Sequence, residues 1–157
     1  MKKALALVIA ALALATALPA AAQTASDAAT LQAIRDQLKN DRKVVVEHNM
    51  KLTPEEAKKF WPVYEAFQRE LAPIQSKGNR ALLDYIASES TMTDANAKRL
   101  LEQVTNADES EAKLRRSYVS KFTKAVGGRK AARYMQVEAK IRAIERYDQA
   151  AVIPLVQ

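Results

Sequence analysis

Between Lys113 and Val137 the chain holds eight basic side chains and no acidic one: Lys113, Arg115, Arg116, Lys121, Lys124, Arg129, Lys130 and Arg133. Guanidinium and ammonium groups at this density can hold phosphate, carboxylate or sulfate groups. Lys113, Arg116, Lys121, Lys124, Arg129, Lys130 and Arg133 are therefore candidates for contact with an anionic partner, an acidic protein or a membrane surface. Residues 102–112 are the reverse, with Glu102, Asp108, Glu109 and Glu111 and no base. A helix dipole favours acids early and bases late, so a solvated helix face explains the same pattern without a partner. Covalent and metal chemistry find no such density. There is no Cys, and His48 is the only histidine, with Glu47 and Met50 beside it; a stable metal site needs several convergent ligands. No G-x-S-x-G occurs, and "VGGRK" lacks the spacing and the preceding strand of a phosphate-binding loop. The chain reads as a non-enzyme with neither metal nor cofactor.

The opening "MKKALALVIAALALATALPAAAQ" places Lys2 and Lys3 before an apolar run from Ala4 to Leu18 and ends in small residues. That is the pattern of a secretory signal peptide, here residues 1–22, cut after Ala22. The run is shorter than the roughly 20 apolar residues of a membrane span. Export gives a periplasmic location, leaves residues 23–157 as a single helical domain, and argues against nucleic acid as a partner. Lys2 and Lys3 leave with the leader and no acid does; with 25 basic and 18 acidic residues in all, the net charge falls from +7 to +5. Without Cys no disulfide can hold an exported fold, so packing must.

These side chains need elements to position them, and a composition poor in Gly and Pro and rich in Ala, Leu, Lys and Glu points to helices. Four are expected. The first, about 26–48, carries Leu31, Ile34, Leu38, Val45 and His48 in phase, with His48 packing in the core or capping the helix. The second opens on "LTPEE", with Thr53 as N-cap, Pro54 at the first helical position and Glu56 placed to close a capping box. Phe60, Tyr64, Phe67, Leu71, Ile74, Gly78, Leu82 and Tyr85 then step by four and three without losing phase. The phase carries one helix to about Ser88, bent near Pro62. The third opens on "MTDAN", with Thr93 as N-cap and Asn96 where a box has Glu or Gln. Its seam is Leu100, Val104, Ala107, Leu114, Tyr118, Phe122 and Ala125, with Glu111 the misfit. Gly127-Gly128 ends it, and a fourth helix from about Arg129 to Asp148 carries Tyr134, Val137, Ile141 and Ile144. Helices two and three, each about 50 Å long at 1.5 Å per residue, form a long antiparallel hairpin that helices one and four cover in part.

Outside the seams, Trp61, Ala72, Leu83 and Ile86 line one flank of helix two, and Leu101, Ala112, Val119 and Val126 one flank of helix three. Left open, such flanks suit apolar segments of unfolded chains; covered by helices one and four, they are core. Trp61, Leu83, Ile86, Leu101 and Val119 are the candidate client contacts.

The paired starts "LTPEE" and "MTDAN", the leader, the absence of Cys and the long hairpin resemble the Spy/CpxP-like periplasmic proteins of the LTXXQ-motif family. Glu56 and Asn96 stand where that motif has Gln, and Met92 stands where it has Leu. The resemblance implies an all-α fold with coiled-coil-like packing, a homodimer, and a non-enzymatic envelope-stress role. That role is an ATP-independent chaperone for unfolded or partly folded envelope proteins, or a sensor or inhibitor partner of an envelope signalling system. A structural protein holding anionic envelope components by charge is a third reading, from another class. In the family reading Thr53, Glu56, Thr93 and Asn96 mark helix starts.

Overall fold

The computed structural model describes residues 42–151 and 153–155. The leader, and the expected first helix before residue 42, lie outside the described residues. The chain divides into compact units of residues 1–45 and 46–157. Of the first, only residues 42–45 are described, and all belong to α1, Arg42–Met50. The account below concerns the second unit.

The described residues form helices and short connections, with no strand among them. α1 ends where Lys51 takes φ 47°, the left-handed conformation that reverses a chain after a helix. His48 is exposed in the last turn of α1. It does not pack in the core as its phase suggested; at that position a basic side chain complements the dipole.

α2 runs Pro54–Ser88. Its start is a closed capping box: the Glu56 N–H donates to Thr53 Oγ1 at 3.3 Å, and the Thr53 N–H donates to Glu56 Oε2 at 2.8 Å. Pro62 and Pro73 lie inside it. Each removes a bond to the carbonyl four residues back, at Lys58 and Arg69. All four residues are exposed, so water can satisfy those carbonyls and the helix tolerates both rings. A short 3₁₀ turn, Glu89–Thr91, leads to α3, Asp94–Ala150.

α3 contains one non-helical residue, Gly127, at φ 77° and ψ 161°, a region essentially reserved for glycine. There the chain turns back. Phe122 and Tyr134 would stand about 18 Å apart along a straight helix, yet their ring centroids are 4.3 Å apart. Arg142 Nη1 likewise reaches Glu111 Oε1 at 3.2 Å. The first arm, 94–126, and the second, 128–150, therefore run antiparallel. The first arm also runs antiparallel to α2, since Phe60 meets Phe122, Tyr118 bonds Glu70, and a Cβ built on Gly78 would lie 3.3 Å from that of Ala107. The second runs parallel to α2: Gln68 bonds Glu138, Gln149 bonds Asn79, and Tyr85 donates to the Pro154 carbonyl at 2.8 Å. The contacts of the last helical segment follow α2 from Glu56 to Asn79, and the chain beyond it reaches Tyr85 through Pro154.

The core gathers at the Gly127 end. Phe60, Tyr64 and Phe67 from α2 meet Tyr118 and Phe122 from the first arm and Tyr134 from the second, mostly edge-on or tilted. These are the orientations that ring quadrupoles favour. Val46 and Met50 of α1 are fully buried, as are Leu71 and Ile141. Each side chain of this size contributes about 1.5–3 kcal/mol by leaving water. Buried hydroxyls find acceptors: Tyr134 donates to Glu138 Oε1 at 2.9 Å and Tyr118 to Glu70 Oε1 at 2.6 Å. Burial, reinforced by the carboxylate beside each, pushes the Tyr118 phenol up to about 12 and raises that of Tyr134 strongly.

Candidate functional site

Beyond Leu71 the seam keeps its period, and Ala81 and Leu100 stay buried, but the packing between them thins. Ile74, Gly78, Leu82 and Tyr85 are half-buried, as are Val104 and Ala107 opposite. Gly78 and Ala107 let α2 and the first arm approach closely, whereas the second arm here carries Arg142, Glu145, Arg146 and Gln149 toward them. The result is a cleft of about 440 Å³, within the range of small-ligand sites. Its floor is Ile74, Leu82, Val104 and Ile153. One rim is charged: Arg142 and Arg146 bind Glu111, and Arg146 also binds Asp108. The other rim is the Gln149 to Asn79 amide bond, 2.9 Å long. Glu111, the misfit in the apolar seam, is 8 % exposed and is neutralised by Arg142, Arg146 and Arg115, the last at 3.6 Å. A carboxylate in an apolar stripe was the available signal for partners elsewhere in the chain. Arg142 and Arg146, spaced four apart, answer it, and sequence reasoning passed over them.

The five candidate client contacts do not form one surface. Leu83 (65 % exposed), Ile86 (41 %) and Leu101 (68 %) lie at the cleft end. Counting from the Gly78–Ala107 contact, Leu83 and Leu101 are each displaced by about 8 Å toward that end. Leu155, 87 % exposed, follows Pro154, whose carbonyl Tyr85 holds. Val119 is also exposed but sits about 27 Å along the first arm from Leu101. Trp61 is half-buried at the aromatic end, with its ring edge-on to Phe60 and Tyr64. By helical phase, Leu83 and Ile86 share a stripe of α2 with Gln68 and Asn79, and Leu101 and Val119 share one of the first arm with Asp108. Those polar residues bond the second arm, so the second arm separates the two flanks.

The basic candidates divide as well. Lys113 pairs with Glu109 at 3.2 Å, Lys121 stands 3.7 Å over the Tyr118 ring, Arg133 donates to the Asn49 carbonyl at 2.6 Å, and Lys130 holds Glu56 and the Lys51 carbonyl. These four are tied to their own fold. Arg116, Lys124 and Arg129 are exposed and form no ion pair or hydrogen bond among the described residues. Of the cap residues, Thr53 and Glu56 close their box, and the Lys130 ammonium beside Glu56 holds its carboxyl below the usual range. Thr93 Oγ1 accepts from the Asn96 N–H at 3.3 Å, but Asn96 returns no bond to Thr93. Its side chain is one methylene short of Gln. No family model, curated protein or solved structure matches the chain.

Proposed function

We propose that the chain is an exported, non-enzymatic holdase: an envelope-stress protein of the Spy/CpxP-like kind that captures unfolded or partly folded proteins without ATP. The observation that carries this reading is the group of exposed apolar side chains, Leu83, Ile86, Leu101 and Leu155, at one end of an otherwise charged helical unit. Isolated exposed apolar residues are ordinary; several at one level of a bundle suit transient contact with apolar segments. The leader pattern in residues 1–22 supports a periplasmic location. The break at Gly127 supports counting two helices in α3, hence four in all with the expected first one, and Pro62 supports a bend in the hairpin.

The test is light scattering of a reduced or heat-unfolded substrate. The protein should suppress aggregation with no nucleotide present, and Leu83→Ser with Ile86→Ser should weaken suppression while helicity stays. Absence of suppression at any molar ratio would remove the holdase reading. A second reading, contact with an anionic envelope component or signalling partner, draws on Arg116, Lys124 and Arg129, which are exposed and form no ion pair among the described residues. Binding by those charges should fall steeply with ionic strength, whereas apolar capture should persist.

A further inference from the structure

The second arm is held in two different ways along its length. From Ala131 to Ile144 it is anchored by buried Ala131, Tyr134, Ile141 and Ile144. From Glu145 onward none of the described residues is buried, and the cleft lies beneath them. The contacts that hold these last turns include polar ones: Arg146 to Asp108 and Glu111, Gln149 to Asn79, and the Pro154 carbonyl on Tyr85. Half-exposed ion pairs such as Arg146 to Asp108 are weak and screened by salt. A gap beneath them also means the apolar floor adds little attraction, because its atoms lack partners on that side. Opening free energy is lowest where buried apolar contacts are fewest.

Resting on the holdase reading, we propose that residues 145–151 are a salt-sensitive lid and that the floor beneath, Ile74, Leu82 and Val104, is where an extended apolar peptide segment binds. The chemistry of the rims favours a peptide over an alkyl chain. Opening frees the amides of Asn79 and Gln149, and with them donors and acceptors that a peptide backbone needs and a hydrocarbon tail does not. Leu83 and Leu101, already exposed at the same end, extend the floor outward.

The chain has no Cys, so Gln75→Cys with Glu145→Cys, both on the cleft lining and each one helical turn before Asn79 and Gln149, gives two unique thiols and leaves both amides in place. The full chain is compared with these thiols joined by a short bismaleimide and with each capped separately. Between about 10 mM and 1 M salt the Debye length falls from about 30 Å to about 3 Å. Over that range, amide exchange at 145–151 in the capped protein should quicken several-fold while 131–144 is unchanged. Affinity for a labelled apolar peptide should rise in step, and the cross-linked form should show neither effect. Arg146→Ala, which needs no cross-link, should reproduce the open behaviour at low salt. Equal peptide binding by cross-linked and capped forms, or exchange at 145–151 indifferent to both salt and Arg146→Ala, overturns the lid. Tight binding of an alkyl amphiphile with no peptide binding overturns the assigned occupant. If the cross-linked form suppresses aggregation as well as the capped one, the holdase reading survives and this site does not. If exchange follows the lock but neither form suppresses aggregation, the client assignment falls with the holdase reading and the lid alone stands.

Discussion

The two ends of the helical unit are built on the same seam and packed in opposite ways. Toward Gly127 the three helical segments meet through Phe60, Tyr64, Phe67, Tyr118, Phe122 and Tyr134, and the largest of these are fully buried. Toward Tyr85 they meet through Gly78, Ala107, the buried Ala81 and Leu100, and long polar side chains around a cleft. A period of three and four guarantees that side chains point inward; it does not guarantee that they fill the space. The aromatic end concentrates the buried rings, and the cleft end holds the exposed Leu83, Ile86 and Leu101.

The sharpest way to break this contrast is truncation at each end. Phe122→Ala should cost about 3–5 kcal/mol, because a fully buried ring leaves a cavity that its neighbours cannot close. Leu82→Ala, half-buried beside space that already exists, should cost only about 1 kcal/mol. Urea unfolding of both variants measures the difference, and equal losses would mean that the two ends are packed alike.

The hinge of the aromatic end gives a pair of opposite sign. Gly127→Ala should cost about 1–3 kcal/mol although nothing lies within 4 Å of its new Cβ, because the strain is in the backbone. Gly128→Ala has the same open space in helical conformation and should instead stabilise by about 0.4–1 kcal/mol, by restricting the unfolded chain. Thermal midpoints moving in the same direction for both would show that the turn does not sit at Gly127.

The smallest effects separate the two caps. Thr53→Ala and Thr93→Ala should each cost about 1 kcal/mol, with Thr53 the greater because its box closes in both directions. The Glu56 carboxyl is held below its ordinary value of 4.5 by Lys130. A depressed pKa contributes stability above the unfolded value that is lost as pH falls through the folded one. Acid should therefore weaken the Glu56 end below pH 4.5, and Glu56→Gln should flatten that part of the stability curve in thermal melts from pH 6 to pH 3, an interval set by the carboxylate range of about 3–5.

Much of the fold was legible because its signals are local. Thr53 and Thr93 announce helix starts through bonds spanning three residues, and the apolar phase from Phe60 to Tyr85 needed only one chain segment to be read. Gly127 was legible as a stop for the same reason. His48 was legible as a core or helix-end residue, and the structure places it exposed in the last turn, because phase alone does not say where a helix ends relative to its neighbours. The flank residues Trp61, Leu83, Ile86, Leu101 and Val119 were legible as apolar, but not as belonging to different surfaces.

By itself the sequence determined helices, their starts and turns, and an inward stripe on each, since caps, glycine conformations and periodicity act within a few residues. Only the tertiary structure decided that the second arm lies between the two flanks, that Glu111 faces Arg142 and Arg146 across the chain reversal, and that the seam closes at one end and opens into a cleft at the other. Those outcomes depend on the summed size and charge of side chains from three segments meeting at one level, and no single stretch of sequence carries that sum.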